Sequence, residues 1–314
     1  MSLTIVHPSS VDEAISWLAA SPPPLDSPTQ HRFRRGEHLV PAFAHGQRRP
    51  EWVWAAREDG AAPLAVVAGL GHPNGMVLDH LGARDPAALA AVVGAATVAA
   101  RAAGEAEVSL YAPAGLRPEA AEARMLVRAL HEAGWQLLVE RCHYEFTPAP
   151  ELGRDVATSL RLEGLDGPDD PRLLALQREI MRATLDAHDQ LRIERDGLEA
   201  ATREAVADLL AADPWECVRL AYAEETGLAG PVGFTSWQAM PSGRGYLAFI
   251  GVAQEARGHG FGRQLVALAT SGLIEEGAST LIADTDRTNH PMVRAFADAG
   301  WPETETRLDF TPMG

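Results

Sequence analysis

The 314-residue chain repeats itself, and the repeat constrains its folding more than any single motif. Arg128–Trp135 reads RALHEAGW and Arg294–Trp301 reads RAFADAGW. A short way downstream each half closes alike, with YEFTP at Tyr144–Pro148 and LDFTP at Leu308–Pro312. Upstream, GMVLDHLGA from Gly75 pairs with GYLAFIGVA from Gly245. Three matches in one order at a nearly constant offset imply two copies of one unit, in line with the length prior for two domains. The junction is expected near Pro148–Asp155, giving a first domain over 1–150 and a second over 151–314.

Within each copy, apolar residues alternate at period two and then recur at helical spacing. The first copy reads as a hairpin (EWVWAARED, PLAVVAGL), the strand MVLDHLG, and an Ala-rich helix from Asp85 to about Arg101. The strand VSLY, a helix ending at Gly134 and a strand over Leu137–Phe146 follow. The second copy opens with helices over Arg172–Ala187 and Ala201–Ala211, then the hairpin VRLAYAEE and PVGFTSWQ. The strand YLAFIGV, a helix over Gly262–Glu276, the strand TLIADTD, a helix over Pro291–Ala299 and a strand near Arg307–Phe310 complete it. Antiparallel strands followed by β-α-β-α-β give an α/β (α+β, mixed-sheet) class. Ahead of the first copy lie one expected helix, Val11–Ala19, and SPPPLDSP, read as an extended linker or lid.

Composition removes several chemistries. All 27 basic residues are arginine, so neither a P-loop lysine nor a Schiff base on a protein amine is available. A formal charge of −16 is the wrong sign for a phosphate-backbone binder, so no nucleic-acid partner is expected. The longest apolar run, Ala87–Ala100, falls short of a bilayer span, and no basic-then-apolar leader opens the chain. Two cysteines, Cys142 and Cys217, suit a reducing compartment, so a cytoplasmic location without a membrane partner is expected. His72, His80, His131 and His143 lack metal-ligand spacing, so no metal is expected. Asp169-Asp170 before Pro171 reads as a helix start.

The most specific segment is IGVAQEARGHGFGRQLVAL, a strand through Val252, a glycine-rich turn, then a helix. Such a turn aims backbone N–H groups at one place, and the helix dipole adds about half a positive charge there. A dinucleotide fingerprint starting at Gly258 fails, because its third glycine falls on Arg263. A tight turn with an exposed arginine and a site for a pyrophosphate remain.

The segment resembles motif A of the GCN5-related N-acetyltransferase (GNAT) superfamily, [QR]-x-x-G-x-[GA] after a valine, with Val252 and Arg257 in place. TNHPMVRAFADAGW, Thr288–Trp301, resembles the family's motif B, and the match spans Trp215–Trp301. The paired halves resemble tandem members of the family such as mycothiol synthase in layout. The resemblance implies acetyl-CoA as co-substrate and a small-molecule amine as acceptor, in a monomer or homodimer. It implies that Ile250, Gly251 and Val252 hold the acyl carbonyl and pantetheine. Gly258, His259, Gly260, Phe261 and Gly262, with Arg257, would hold the pyrophosphate; Asn289 would bond pantetheine or order its turn.

Two positions depart from the family pattern. The residue after Gly245 is Tyr246 where relatives place a glutamate base, and Phe296 stands where many place a tyrosine acid near sulfur. Phe296 is therefore kept as a coenzyme-side residue, and Tyr246, Asp286 and His290 become the catalytic candidates. Tyr246 reads equally as a core aromatic, Asp286 as a turn or cap residue near Thr288, and His290 as surface. Asp284 shares a strand face with Asp286. Cys217 reads as an inert thiol. In the first copy the turn reads LGARDPAALAA, where Asp85-Pro86 is a cap followed by proline at N1, so this copy is expected not to bind coenzyme A productively. The functions carried forward are an acyl-CoA-dependent N-acyltransferase acting on a small amine by direct transfer, and, as rivals, a non-catalytic coenzyme A-binding sensor and transfer to a protein amine.

Overall fold

The computed structural model describes residues 3–58, 60–72, 74–149, 151–152, 157–223 and 230–313. The chain divides into two compact units, Met1–Arg141 with Glu305–Gly314, and Cys142–Thr304. The expected junction and the end of VRLAYAEE fall partly outside the described residues.

The first unit runs β1 (Thr4–Val6), α1 (Val11–Ala20), α2 (Pro28–Arg32), α3 (Gly36–Ala44), β2 (Val53–Arg57), β3 (Ala65–His72), β4 (Gly75–Ala83), α4 (Pro86–Ala102), β5 (Glu105–Pro113) and α5 (Ala121–Glu132). Strand β6 (Trp135–Phe146) passes into the second unit at Cys142. There follow β7 (Arg161–Gly164), α6 (Pro171–Met181), α7 (Ala187–Asp196), α8 (Leu198–Ala212), β8 (Val218–Tyr222), β9 (Gly233–Ala239), β10 (Arg244–Val252), α9 (Phe261–Glu275), β11 (Thr280–Asp286) and α10 (His290–Asp298). The last strand, β12 (Glu305–Pro312), pairs antiparallel with β5 and counts with the first unit, although it was expected to close the second copy.

Among the described pairings, each unit is a mixed sheet with one parallel pair. In the first, neighbours run β1-β2-β3-β4-β5-β12, antiparallel except β4 beside β5. In the second, β11-β10-β9-β8-β7 are antiparallel except β10 beside β11. The repeat is visible down to hydrogen bonds. Trp135 Nε1 donates to Thr97 Oγ1 on α4 at 2.7 Å, and Trp301 Nε1 donates to Thr270 Oγ1 on α9 at 2.8 Å. Each threonine hydroxyl donates in turn to a carbonyl one turn back, that of Val93 or Val266. Burying an indole requires such a partner, which explains why both copies keep tryptophan after the helix-ending glycine. Gly134 and Gly300 sit at φ +89° and +80°, which a side chain tolerates poorly.

Bulges correct the strand alignment by one residue. Between β3 and β4 the extra residue is Asp79, and between β9 and β10 it is Ala248. Superposing them pairs Gly75 with Arg244, not with Gly245, and Leu81 with Ile250. The flanking bonds agree, since Arg84 N–H donates to Leu64 O in one copy and Ala253 N–H to Val232 O in the other.

Segments that carry weak periodicity differ from expectation. SPPPLDSP is not a free linker: Leu25 is 2% and Ser27 1% exposed, and Ser27 caps α2 through the Gln30 N–H. The helix expected over Arg172–Ala187 stops at Met181, and α7 starts anew at Asp186, whose carboxylate accepts from His188 and Asp189 N–H. Burial, with the Asp186 charge second, pushes the Asp189 carboxyl up to about 6. A carboxyl raised above its unfolded value contributes stability below about pH 4 and loses it as pH rises through about 6. Asp189→Asn is therefore expected to raise the melting temperature at pH 7.5 by about 4 °C and to leave it unchanged at pH 4, read by thermal denaturation.

Among the described residues no helix is long and apolar enough to cross a membrane. Both cysteines are free thiols, and burial pushes each one up, Cys142 to about 11.

Candidate active site

The second unit's parallel pair holds together only at its start. Arg244, Gly245 and Tyr246 on β10 pair with Thr280, Leu281 and Ile282 on β11, and the pairing ends there. Beyond it β10 continues against β9 alone, and the bulge at Ala248 turns it away. Ala253 N–H donates to Val232 O, and Gly251 O lies against Gly233. Backbone groups alternate sides along a strand, so those of Ile250 and Val252 point the other way, into the gap beside β11. Of the three residues expected to offer amides, Gly251 is thus spent on β9. An added Cβ at Gly251 would come within 2.6 Å of Ile180 on α6, so the glycine also serves packing.

At the end of β10 the chain enters α9 through a loop of main-chain donors. Gly258 and Gly260 adopt φ +86° and +77°, with open space where a Cβ would stand. Gly260 is the helix cap and supplies no side chain, so the first turn of this fifteen-residue helix is uncapped. Among the described residues, the N–H groups of Gly258, His259, Gly260, Phe261, Gly262 and Arg263 donate to no protein acceptor. Consecutive donors of this kind, on the positive end of a helix dipole, form an anion cradle. Arg257, expected to pair with phosphate, instead braces the loop: Nε donates to Val252 O at 3.3 Å and Nη1 to Ala183 O at 2.7 Å. His259 stacks on Phe261 with ring centroids 5.5 Å apart and stays within the loop.

The catalytic candidates separate. Tyr246 is 37% exposed on the strand, with its hydroxyl accepting from Arg244 Nε at 3.3 Å, so it is not a core aromatic. Asp286 is 1% exposed, and one carboxylate oxygen accepts the Ala187 N–H at 2.7 Å at the start of α7. It caps that helix, and the turn near Thr288 takes its backbone carbonyl through Asn289 N–H. Asn289 caps α10, its side chain accepting from Met292 N–H at 3.3 Å. His290 is exposed on the first turn of α10 and makes no side-chain bond among the described residues. Phe296 lies in the core, 3% exposed, stacked on Tyr144 at 4.5 Å and edge-on to Trp301 at 5.2 Å. Its apolar ring fills a position lined by other rings, which corrects its reading as a coenzyme-side residue. Burial pushes the Tyr144 hydroxyl upward, so that phenol stays protonated.

One cluster was missed. Cys142, Tyr144, Leu247, Leu281 and Ala283 pack with α9 and α10 in one core. Alternation therefore puts His143, Glu145, Tyr246, Ile282 and Asp284 on the opposite sheet face. There His143 Nδ1 lies 2.9 Å from Asp284 Oδ1 and Nε2 lies 3.6 Å from Glu145 Oε2, while Arg244 holds Glu145 at 3.0 Å. The signal was available in alternation along HYEF, but Asp284 lies 141 residues from His143 in the sequence.

The first unit has the same splayed pair, with β4 leaving β5 after Leu78 and Val108. Here the chain fills its own gap. Arg34, 6% exposed, donates Nη2 to the carbonyl of Leu81, the counterpart of Ile250. Its other donors go to Ser21 O, Gln30 O and Gln30 Oε1, and Ser21 lies over Gly82 so closely that a Cβ there would come within 2.6 Å of its oxygen. Asp85 caps α4 by accepting the Ala88 N–H at 2.7 Å, with Pro86 at the first helical position, so the cradle is closed as well.

The family model of the Acetyltransferase (GNAT) family matches residues 182–301. No curated protein matches the sequence. Among solved structures, a GCN5-related N-acetyltransferase from Sphaerobacter thermophilus is similar with a TM-score of 0.61 at 15% identity, covering 99% of this chain and 97% of that one. A tandem GNAT protein from the clavulanic acid biosynthesis pathway is similar with a TM-score of 0.53 at 16% identity, covering 99% and 98%. A GCN5-related glucosamine N-acetyltransferase region of a fungal multi-domain β-N-acetylglucosaminidase gives 0.60 at 12% identity, covering 98% of this chain and 38% of that one. At these identities the likeness is one of fold.

Proposed function

We propose, from the match of residues 182–301 to the model of the Acetyltransferase (GNAT) family, that the chain is an acyl-CoA-dependent N-acyltransferase whose second unit transfers an acetyl group directly to a small-molecule amine. The observation that carries this reading is the run of six unpartnered main-chain N–H groups from Gly258 to Arg263 beside a strand gap. Those donors suit a diphosphate, and the inward-facing groups of Ile250 suit an extended amide-bearing arm such as pantetheine.

Acetyl-CoA supplies a thioester carbonyl open to attack. The rest of the chemistry falls to this chain. The acceptor must shed a proton before its nitrogen lone pair can form the C–N bond; the C–S bond then breaks and the sulfur leaves with the electron pair, taking up a proton. Main-chain N–H groups in the gap are placed to steady a developing oxyanion without moving. Tyr246 lies beside that gap on the exposed face and is kept as an acceptor-side hydrogen-bonding residue. Asp286 and His290 are not retained for proton transfer, given the helix-capping bond of one and the exposed position of the other.

The test is calorimetry with acetyl-CoA followed by thiol release across a panel of primary amines. One coenzyme per chain and amine-dependent thiol release are expected. Two equivalent sites would contradict the closed first unit, and binding without turnover on any amine would favour a coenzyme A sensor.

A further inference from the structure

In a chain of net charge −16, the first unit holds a cavity whose described lining carries three arginines and no carboxylate. Its volume is about 550 Å³, within the range of small-molecule sites. Pro22 and Pro23 form a stiff wall just past the end of α1. His31 on α2 and Arg34 and Arg35 in the turn between α2 and α3 form another. Arg84 follows β4 at the counterpart of Ala253, where the second unit turns toward its glycine loop. The first unit has closed its own main-chain cradle with Asp85, and Ser21 and Arg34 occupy its strand gap. Side-chain donors therefore stand near the place where the other unit presents amides.

Charge decides what this cavity can take. Arg34 is the buried member of the lining, and all four oxygens it donates to are neutral. The neighbouring carboxylate, Asp79, is bound to Arg48 at 2.5 Å, so those two charges cancel. Burial, with the charges of Arg34 and Arg48 behind it, holds His80 well below the ordinary imidazole range, so His80 is neutral. Among the described residues, Arg34 thus keeps a buried positive charge with no carboxylate in contact, an arrangement that folding alone disfavours. At the rim, Arg35 is 68% exposed and comes no closer than 3.8 Å to Glu37. Arg84 donates one bond, Nη2 to Ala20 O at 3.3 Å, at the end of α1. The C-terminus of that helix offers about half a negative charge, too little to balance three guanidinium groups. His31 is held by Asp26 at 2.7 Å and adds a donor but no surplus charge.

We infer that this cavity is a binding site for a small organic anion of two or more negative charges, a phosphate ester or a di- or tricarboxylate, held by Arg35 and Arg84 beside the buried Arg34. Guanidinium forks bind the paired oxygens of either group, which is the chemistry the two ligand types share. The alanine and proline walls admit a compact carbon body. A long arm such as pantetheine has no path, because Arg34 and Ser21 fill the strand gap it would need. The site belongs wholly to the first unit and is independent of the acyltransferase reading.

The experiment titrates the full chain with inorganic pyrophosphate, citrate and acetate by calorimetry in about 0.1 M sodium chloride, with excess acetyl-CoA present to occupy the second unit's loop. Pyrophosphate, citrate or both should bind once per chain, the stronger of the two marking a phosphate or a carboxylate ligand. Acetate, with a single charge, should bind about tenfold more weakly or worse. The double variant Arg35→Gln/Arg84→Gln removes two charges from exposed side chains. It should weaken the stronger anion by about tenfold or more and leave acetyl-CoA affinity within about twofold. If the double variant does not fold, Arg35→Glu alone, at a 68% exposed side chain, reverses one charge and should weaken the anion by a similar factor. Failure of the parent to bind either anion, or unchanged affinity in the variant, overturns the site and leaves the acyltransferase reading untouched. Failure of the parent to bind acetyl-CoA removes that reading instead, and the difference between parent and variant still decides the anion site.

Discussion

Gly260→Asp is expected to weaken acetyl-CoA binding by at least 100-fold while lowering the melting temperature by only a few degrees. The backbone there has φ +77°, so any side chain costs about 1 kcal/mol of strain, and aspartate tolerates that region better than most residues. No atom lies within 4 Å of the position a Cβ would take, so nothing must move to admit it. The added carboxylate would compete for the unpartnered N–H groups of the loop and act as a cap for α9, which it now lacks. An incoming diphosphate would meet an occupied cradle and a like charge, and 100-fold corresponds to about 2.7 kcal/mol. Gly260→Asn, equally at ease at positive φ but uncharged, separates the two contributions and should lose about tenfold. Calorimetric titration of the three proteins reads both, and unchanged affinity in Gly260→Asp would remove the cradle from the mechanism.

Arg34→Met should destabilise the first unit by about 3 kcal/mol or more, because it removes one guanidinium that donates to four buried oxygens at once. The guanidinium bonds Ser21 O at 2.9 Å, Gln30 O at 2.7 Å, Gln30 Oε1 at 2.9 Å and Leu81 O at 2.5 Å. Burial pulls its pKa down to about 10, still far above neutrality, so it remains charged at the pH of any ordinary measurement. For a unit of this size the change corresponds to a fall of roughly 6 to 12 °C in melting temperature. Arg34→Lys should lie between, since an ammonium cannot span donors set in a planar fork. Coenzyme stoichiometry should stay at one per chain in both variants, because Asp85 still caps α4. A melting temperature within 2 °C of the parent would show that the filled gap is incidental to stability.

The sequence made the second unit's strands and its phosphate-type turn legible because both are local. A period-two run through Val252, followed by Gly258 and Gly260, can be read within twenty or so residues. The tryptophan repeat was legible for the same reason, although its purpose, a bond to Thr97 or Thr270, needed the helix to be placed beside the strand. What escaped was set by distant partners. His143 acquires meaning only when β6 is laid on the same face as Asp284, and Asp286 becomes a cap only when α7 begins beside it. Helices α2 and α3 were hidden because Pro22–Pro24, Pro28 and Pro41 break any helical pattern, while proline at the first helical position, as at Pro28, supports one. The one-residue slip in aligning β4 with β10 arose because a bulge adds a residue without changing composition.

The route of β12 bears on how this protein can be taken apart. The first compact unit is assembled from both ends of the chain, Met1–Arg141 and Glu305–Gly314, while the second is a single interior stretch. A cut at the sequence repeat boundary would strip β5 of its antiparallel neighbour and hand the carboxy-terminal fragment a strand that belongs elsewhere. The exposed edge of β5 would then be open to pairing with other chains. Although the two copies look like separable modules in the linear text, fission or shuffling at that point yields two incomplete pieces, and an excision that respects the architecture must lift out the interior stretch as a whole.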